Sequence, residues 1–415
     1  MTMEIRVLRP SDWDQWYDTL ELAFGGAAEP AEERELWQEL TRFDRSFGVW
    51  EGDEVVGTAG SFAFRMTVPG GEAVPTAGVT MVGVRPTYRR RGVLRQMMRR
   101  LLDDVRSSGE PLAVLTASEP AIYGRFGYGA ATHSVHASID TTRVRVAVPP
   151  GTDASDGAKG VRLRYSKPED ARDACEAVYA RRVAARPGML VRQPGWEKQP
   201  LLDAVDRREG ASALQCVLAE ADGEVVGYAR YAVRGDWDMA GAKGTVVLRD
   251  LEALTPQAYA ALWRFLTEID LTTRVTATNR PVDDPLLHLV NDVRRCGIGV
   301  RDSLYVRLVD VGAALSARTY RAPVDVVFEV EDDFCPWNAG RWRLTGDPKG
   351  ASCERTDDAP DLALSVRELG AVYLGGVSLT SLAGAGLVTE LRPSALEEAS
   401  SAFGSTMAPW LPHGF

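Results

Sequence analysis

One order of events occurs twice in this chain, and it limits the folds available. The run "EIRVL" at residues 4–8 alternates like a strand, and "RPSDWDQWYDTLELAF" then opens a helix with Ser11 as its expected N-cap. Next, "FGVWEGDEVVGTAGSFAFRMTV" reads as two strands around a turn at residues 51–54. Further on, "GVRLRYSKPEDARDACEAVYARRV" is again strand then helix, and "QCVLAEADGEVVGYARYAV" is again a hairpin. The phrase Glu-Val-Val-Gly stands at residues 54–57 and 224–227, an offset of 170, while Arg9 and Arg164 mark strand starts 155 apart. Two elements in the same order imply an internal duplication of one α/β domain rather than a chance phrase.

At 415 residues the chain is too long for one core, and two or three domains are expected. A Pro-, Gly-, Ala- and Asp-rich stretch at 146–160 ("VAVPPGTDASDGAKG") suits a joint between the copies. After about residue 301 the texture changes to short strands and small helices with many turn residues. The reading is α/β (α+β): a first domain at 1–150, a second copy at 151–302 and a smaller α+β domain at 303–415. The last shows no triad, metal spacing or phosphate loop and reads as scaffold.

Charge and cysteines narrow the function. A net charge of −10 argues against bulk nucleic-acid binding and favours a small cationic partner. Five scattered cysteines, none before residue 175, form no CxxC or Cys/His spacing, so neither a disulfide framework nor a metal site is expected. The N-terminus lacks the layout of a signal peptide, and no apolar run of ~18 residues suggests a membrane span. A cytoplasmic, reduced protein is the expectation.

Against that acidic balance, "GVTMVGVRPTYRRRGVLRQMMRRLLDDV" (residues 78–105) crowds Arg89, Arg90 and Arg91 onto Gly92. From Val93 onward, Val93, Leu94, Met97, Met98, Leu101, Leu102 and Val105 form one apolar stripe, an amphipathic helix. The arginines therefore sit at a helix start, where free N–H groups and the positive end of the dipole already favour an anion. Cations there are unfavourable without a ligand, so a phosphate site is the reading. No GxxxxGK[ST] is present, and "GRFGYG" (124–129) has the wrong spacing and order for a dinucleotide fingerprint.

The order strand, "RRRGVL", helix resembles the coenzyme A signature Q/R-x-x-G-x-G/A of GNAT acetyltransferases, with Leu94 in place of the small sixth residue. About thirty residues on, "YGRFGY" (Tyr123 to Tyr128) is similar to the Y-x-x-x-G-F end of that fold. The longer stretches "PTAGVTMVGVRPTYRRRGVLRQM" and "ASEPAIYGRFGYGAAT" resemble the Eis (enhanced intracellular survival) family of actinobacterial GNAT N-acetyltransferases. That resemblance extends over the chain and implies tandem GNAT-fold domains followed by a sterol-carrier-like domain. It also implies acetyl-coenzyme A as co-substrate, no metal, acetylation of aminoglycoside amines at more than one position, and a homo-hexamer.

Carried onto this sequence, the resemblance places the diphosphate on Arg90, Arg91, Gly92, Val93, Leu94 and Arg95. The pantetheine arm falls along Val82, Gly83 and Val84, with Ser118 and Glu119 as a further contact. Tyr123 becomes the acid that protonates the departing sulfur, and the terminal carboxylate of Phe415 becomes the base. The abrupt apolar end "APWLPHGF" agrees with a docked terminus. Where relatives carry an acidic residue before the last one, this chain has Gly414, and His413 is the substitute acceptor contact. Of the other histidines, His133 and His136 share a strand at odd separation, face opposite sides and read as structural. Phe24 and Trp37, beside the acidic run 29–40, are the expected lip for a polycationic amine. The second copy has Leu254-Thr255-Pro256-Gln257 at the position of the arginine turn, with no arginine and no glycine. One coenzyme per chain is therefore expected. Two alternatives stay open: acetylation of protein lysines, peptides or polyamines, and a non-catalytic carrier of a lipid-like ligand.

Overall fold

The structure, a computed structural model, describes residues 3–153 and 160–415. Part of the expected joint, residues 154–159, lies outside the described residues. The chain forms two compact units. One comprises residues up to Thr132, Arg186–Val191 and Ser303–Phe415; the other comprises His133–Ala185 and Arg192–Asp302.

The first elements in chain order are β1 (Met3–Val7), α1 (Trp13–Ala23), α2 (Ala31–Leu40), β2 (Ser46–Glu51), β3 (Glu54–Thr67) and β4 (Ala73–Val84). They are followed by α3 (Val93–Ser107), β5 (Leu112–Thr116), α4 (Pro120–Tyr123) and β6 (Gly129–Ala130). The second unit holds β7 (His133–Asp140), β8 (Arg162–Ser166), α5 (Pro168–Val183), β9 (Gln215–Ala221) and β10 (Glu224–Arg234). It continues with a small ribbon, β11 (Trp237–Asp238) and β12 (Gly241–Ala242), then β13 (Gly244–Ala253), α6 (Pro256–Thr267), β14 (Thr272–Pro281), α7 (Leu286–Leu289) and β15 (Gly299–Asp302). The last part has β16 (Leu304–Leu308), α8 (Val311–Ser316), β17 (Val324–Glu331), β18 (Gly340–Asp347), β19 (Gly350–Arg355) and β20 (Leu362–Ser365). It ends in α9 (Val366–Val372), α10 (Leu379–Gly384), β21 (Val388–Glu390) and α11 (Ala395–Phe403).

The duplication is plain in the sheets. The first has strand order β1-β2-β3-β4-β5-β16-β6 and the second β15-β7-β14-β13-β10-β9-β8, each seven-stranded. In both, an antiparallel meander leads into one parallel pair, β4 with β5 and β13 with β14. The repeated phrase occupies equivalent register: Gly57 faces Val84, and Gly227 faces Ala253. Both hairpin turns need residues of positive φ, supplied by Gly52 (64°) in the first and by Asp222 (51°) and Gly223 (83°) in the second. The chain switches sheets not at residue 150 but between β6 and β7, and it switches back after residue 302. It enters the second sheet with β7 and returns to the first with β16, which lies between β5 and β6.

Periodicity places α3 correctly: Val93, Met97, Met98, Leu101, Leu102 and Val105 are all buried against β2–β5. Each such side chain contributes roughly 1.5–3 kcal/mol relative to exposure. Ser11 is not the cap of α1; it lies in a short 3-10 turn, and its hydroxyl donates to Asp12, the residue at the cap position.

The C-terminal part builds a five-stranded sheet, β19-β18-β17-β20-β21. Within the same unit, α9 lies directly on β6 and β16. A Cβ at Gly129 would fall 2.1 Å from Arg367 O, and one at Gly370 would fall 2.2 Å from Val306 O. Two facing glycines thus let a helix backbone rest on a strand backbone. Among the described residues no helix is long and apolar enough to cross a membrane. All five cysteines are free and buried.

Candidate active site

The first sheet splits at one glycine. β4 and β5 pair only through Thr76, Ala77 and Gly78, opposite Leu112, Ala113 and Val114. Beyond Val114, β5 stays with β16, while β4 stays with β3. A bulge helps drive them apart: Met81 has φ 53°, and the β3–β4 register shifts between Thr58 and Gly60. The Thr58 hydroxyl donates to Met81 O at 2.9 Å and holds the bulge. Val82, Gly83 and Val84 therefore offer β5 no ladder partner, and their backbone edge is available to an extended ligand.

At the wide end of the split stands the arginine turn. Arg90 has φ 63°, Gly92 has φ 81°, and Arg91 between them is not in the left-handed region. Alternation of this kind is the backbone pattern of an anion-binding nest. Gly92 is the N-cap of α3 and offers no side-chain cap, so the first-turn N–H groups stay open. A Cβ at Gly92 would touch nothing within 4 Å, so the glycine answers to φ rather than to space. Arg89, Arg90 and Arg91 are exposed, and none is ion-paired among the described residues, whereas Arg85 pairs with Glu54 at 2.9 Å. Arg91 stacks over Tyr88 at 4.9 Å, and Arg95 over Phe334 at 5.3 Å.

Tyr123 ends α4 just beyond β5, after the exposed Ser118 and Glu119. Burial, with a smaller push from the Glu119 carboxylate, raises its phenol to about 12. It is thus a neutral O–H at physiological pH, able to donate a proton. Its ring meets that of Tyr128 edge-on at 6.0 Å.

Phe415 reaches the apex of the split. Its ring packs edge-on against Phe64 with centroids 5.2 Å apart, and a Cβ on Gly78 would lie 3.2 Å from it. The same Cβ would collide with Phe64 at 2.3 Å, so only glycine fits where β4 and β5 part. From Phe415 an aromatic row continues through Phe64 and Phe62 (5.6 Å) to Trp37 (6.4 Å) on α2. The terminus is docked by the excursion Arg186–Val191. Gly188 N donates to Thr67 O, Thr67 N to Met189 O, and Val191 N to Arg65 O, extending the end of β3. Arg186 donates to Ala408 O at 2.7 Å, and Trp410 N to Pro187 O at 2.9 Å.

Comparison with known proteins places the domains in known families. Acetyltransferase (GNAT) domain families match residues 4–131 and 188–308, and a sterol carrier protein domain family matches 311–412. An uncharacterized N-acetyltransferase of Streptomyces avermitilis is 68% identical over the full length of both chains. The N-acetyltransferase Eis of Mycobacterium tuberculosis is 35% identical over 98% of each. The crystal structure of Eis1 from Mycobacterium abscessus superposes with a TM-score of 0.83 at 35% identity, covering all of both chains.

The chain belongs to the Eis family of GNAT N-acetyltransferases.

In this Eis-family enzyme the remaining residues singled out from sequence are placed unevenly. Trp37 joins the aromatic row, but Phe24 stands outside it, 59% exposed at the end of α1. Its neighbour Ala23 lies over β4, 3.0 Å from the position of a Cβ on Gly83. His413 is half-buried, with Nδ1 3.2 Å from Gly414 O. Much of the acidity near the lip is consumed internally: Arg34 binds Asp14, Asp18 and Glu21 and stacks over Tyr17. Tyr17 in turn donates to Glu29. Sequence reasoning missed Gly78, Phe62, Phe64 and Arg186. Only the apolar terminus hinted that something must receive it.

The second GNAT copy of the Eis-family chain has the same frame with its openings closed. The Thr255 hydroxyl caps α6 by accepting from Ala258 N at 3.2 Å. The parallel pairing of β13 and β14 ends at Leu248 and Ala277. Past that point Arg280 donates to Leu251 O at 2.9 Å, across the gap that corresponds to the open edge of β4 in the first copy. Arg280 is itself held by Asp284 at 2.7 Å, and Asp284 accepts from Tyr259. Among the described residues no group of His, Cys, Asp and Glu is placed to hold a metal ion.

Proposed function

We propose that this N-acetyltransferase uses acetyl-coenzyme A to acetylate amines of cationic small molecules, most readily aminoglycosides and at more than one position. One observation carries the reading: the unpaired edge of β4 runs from an uncapped arginine–glycine turn to an apex filled by the terminal Phe415. The residues present fit coenzyme A. Val82, Gly83 and Val84 offer strand-like hydrogen bonds to the amides of a pantetheine arm. The open N–H groups from Gly92 to Arg95, with Arg90 and Arg91, suit a diphosphate, and Ser118 and Glu119 flank the other lip.

Acetyl-coenzyme A supplies an activated acetyl thioester. The chain's residues do the rest. The Phe415 carboxylate accepts a proton from the acceptor's ammonium, leaving a nucleophilic amine. Backbone N–H groups near Val84 stabilise negative charge that develops on the carbonyl oxygen. Tyr123 Oη delivers its proton to the leaving sulfur. Trp37 and Phe24 give the acceptor apolar faces, and His413 offers it a polar contact.

The reading includes a homo-hexamer in the cytoplasm, without metal, nucleic acid or membrane partners; sizing by light scattering tests the assembly. Acetylation of lysine peptides or polyamines is the alternative on the same site. A lipid-carrier role is disfavoured because Arg318 occupies the core of the C-terminal domain. Its guanidinium donates to Thr319 O, Tyr373 O and Phe403 O among the rings of Tyr320, Tyr373 and Phe403.

The test is thiol release from acetyl-coenzyme A with kanamycin, spermidine and a lysine peptide, with products identified by mass spectrometry. Multiply acetylated kanamycin is expected. Turnover of the peptide alone would move the reading to its alternative, and no turnover with any amine would end it.

A further inference from the structure

The arginine turn and the Tyr123 turn belong to different segments that share one hydrophobic core. Phe334, from the C-terminal part, touches both. The guanidinium groups of Arg95 and Arg99 stack on its ring, at 5.3 and 4.5 Å. Phe126 meets the same ring edge-on, with centroids 4.9 Å apart. Phe126 lies inside the turn that begins at Tyr123 and is closed by Tyr128 N donating to Tyr123 O at 3.3 Å. Arg95 sits in the first turn of α3, where a cation opposes the helix dipole and needs another partner. The ring face supplies one.

The loop carrying Phe334 is itself rigidly bonded. Asp332 accepts from Arg307 at 2.6 Å, from Cys335 N at 2.9 Å and from Asn338 at 3.0 Å. Asn338 also donates to Leu308 O and Val309 O at the end of β16, and Trp337 donates to Val309 O at 2.9 Å. Arg307 and Asp332 are essentially buried, at 0% and 1% exposure. Phe334 is 4% exposed and belongs to the core that holds α3, Phe126 and Tyr128. Trp337, on the same loop, instead stacks under Arg99 and Arg106, further along α3.

We propose that Phe334 is a positioning residue for acetyl transfer, a wedge that fixes the arginine turn and the Tyr123 turn against one another. The C-terminal domain then serves the site twice, through Phe415 and through this ring. The kinetic meaning rests on the coenzyme A reading above; the mechanical claim does not.

The experiment compares the full chain with Phe334→Leu, Phe334→Tyr and Trp337→Leu. It reads amide hydrogen exchange across 89–95, 99–107 and 123–128, and the calorimetric affinity for coenzyme A. Phe334→Leu is expected to speed exchange in 89–95 and 123–128 together and to weaken coenzyme A roughly tenfold. Phe334→Tyr restores both, and Trp337→Leu loosens only 99–107. If Phe334→Leu does not fold, Phe334→Met, whose flexible chain adapts to the space left by the ring and removes the ring face, carries the same expectation. Loosening of only one turn by Phe334→Leu, or the same exchange pattern from Trp337→Leu, overturns the proposal. If the unmodified protein gives no heat with coenzyme A, the site reading fails on its own, and the exchange data still decide the wedge.

Discussion

The two GNAT copies share a frame and differ in what they leave unsatisfied. In the first, α3 begins at an uncapped glycine, Arg90 holds a left-handed conformation, and β4 and β5 part without a bridge. In the second, Thr255 caps the corresponding helix, and Arg280 reaches across the corresponding gap to Leu251 O. A left-handed non-glycine residue costs about 1–2 kcal/mol, and open helix-end donors forgo a capping gain of about 1 kcal/mol. The first copy tolerates those costs where a ligand can offset them. The second has spent the same positions on stability. Substitutions in the first copy should therefore remove function and spare stability, and substitutions in the second should do the reverse.

The largest effect expected is on rate. Tyr123→Phe should lower kcat by about 10²–10⁴ while coenzyme A affinity and melting temperature stay unchanged. Extension of the chain by one residue after Phe415 should act similarly, since it replaces the proposed carboxylate base by a neutral peptide carbonyl. Unchanged turnover in the extended chain would remove that carboxylate from the mechanism. The mirror experiment is Arg280→Met, which leaves Asp284 buried and uncompensated. Denaturant unfolding should report a loss of about 3–5 kcal/mol with the KM for acetyl-coenzyme A unaltered. A changed KM would break the division of labour between the copies.

Smaller substitutions sharpen the same contrast at the helix starts. Gly92→Ala places a Cβ at φ 81°; the exposed turn escapes that strain of about 1–2 kcal/mol by leaving the left-handed region, so coenzyme A should weaken by about tenfold while stability changes little. Thr255→Ala should cost about 1 kcal/mol of stability and leave binding alone.

The smallest effect is on pH dependence. The Tyr123 phenol, raised to about 12 by burial and then by Glu119, must be protonated to act as an acid. Its function is thus complete below the ordinary phenol range and is lost only as pH rises through about 12. The rate should climb as acceptor amines lose protons and show no falling limb at pH 10. A fall centred below that would assign the acid elsewhere.

Much of this was legible in the chain, for identifiable reasons. The stripe Val93–Val105 and both hairpin turns depend on local periodicity and local φ, which residue order carries directly. The missing cluster at residues 254–257 foretold a different second copy, but not the Arg280 stitch, which joins residues 29 apart across a gap. Ser11 was misplaced because Pro10 starts a 3-10 turn that moves the helix start to Asp12. The exchange of β7 and β16 between sheets was invisible, because a strand's own pattern does not name its neighbour. Gly78, Phe62 and Phe64 were missed for the same reason: their meaning lies in a terminus more than 300 residues away.

The most direct test is isothermal calorimetry of coenzyme A on the whole chain and on the Arg90→Glu/Arg91→Glu double variant. One site per chain, whose heat disappears on charge reversal, is the predicted result. Two sites per chain, or one whose affinity survives the reversal, would contradict the claim that a single open arginine turn in the first copy holds the acetyl donor.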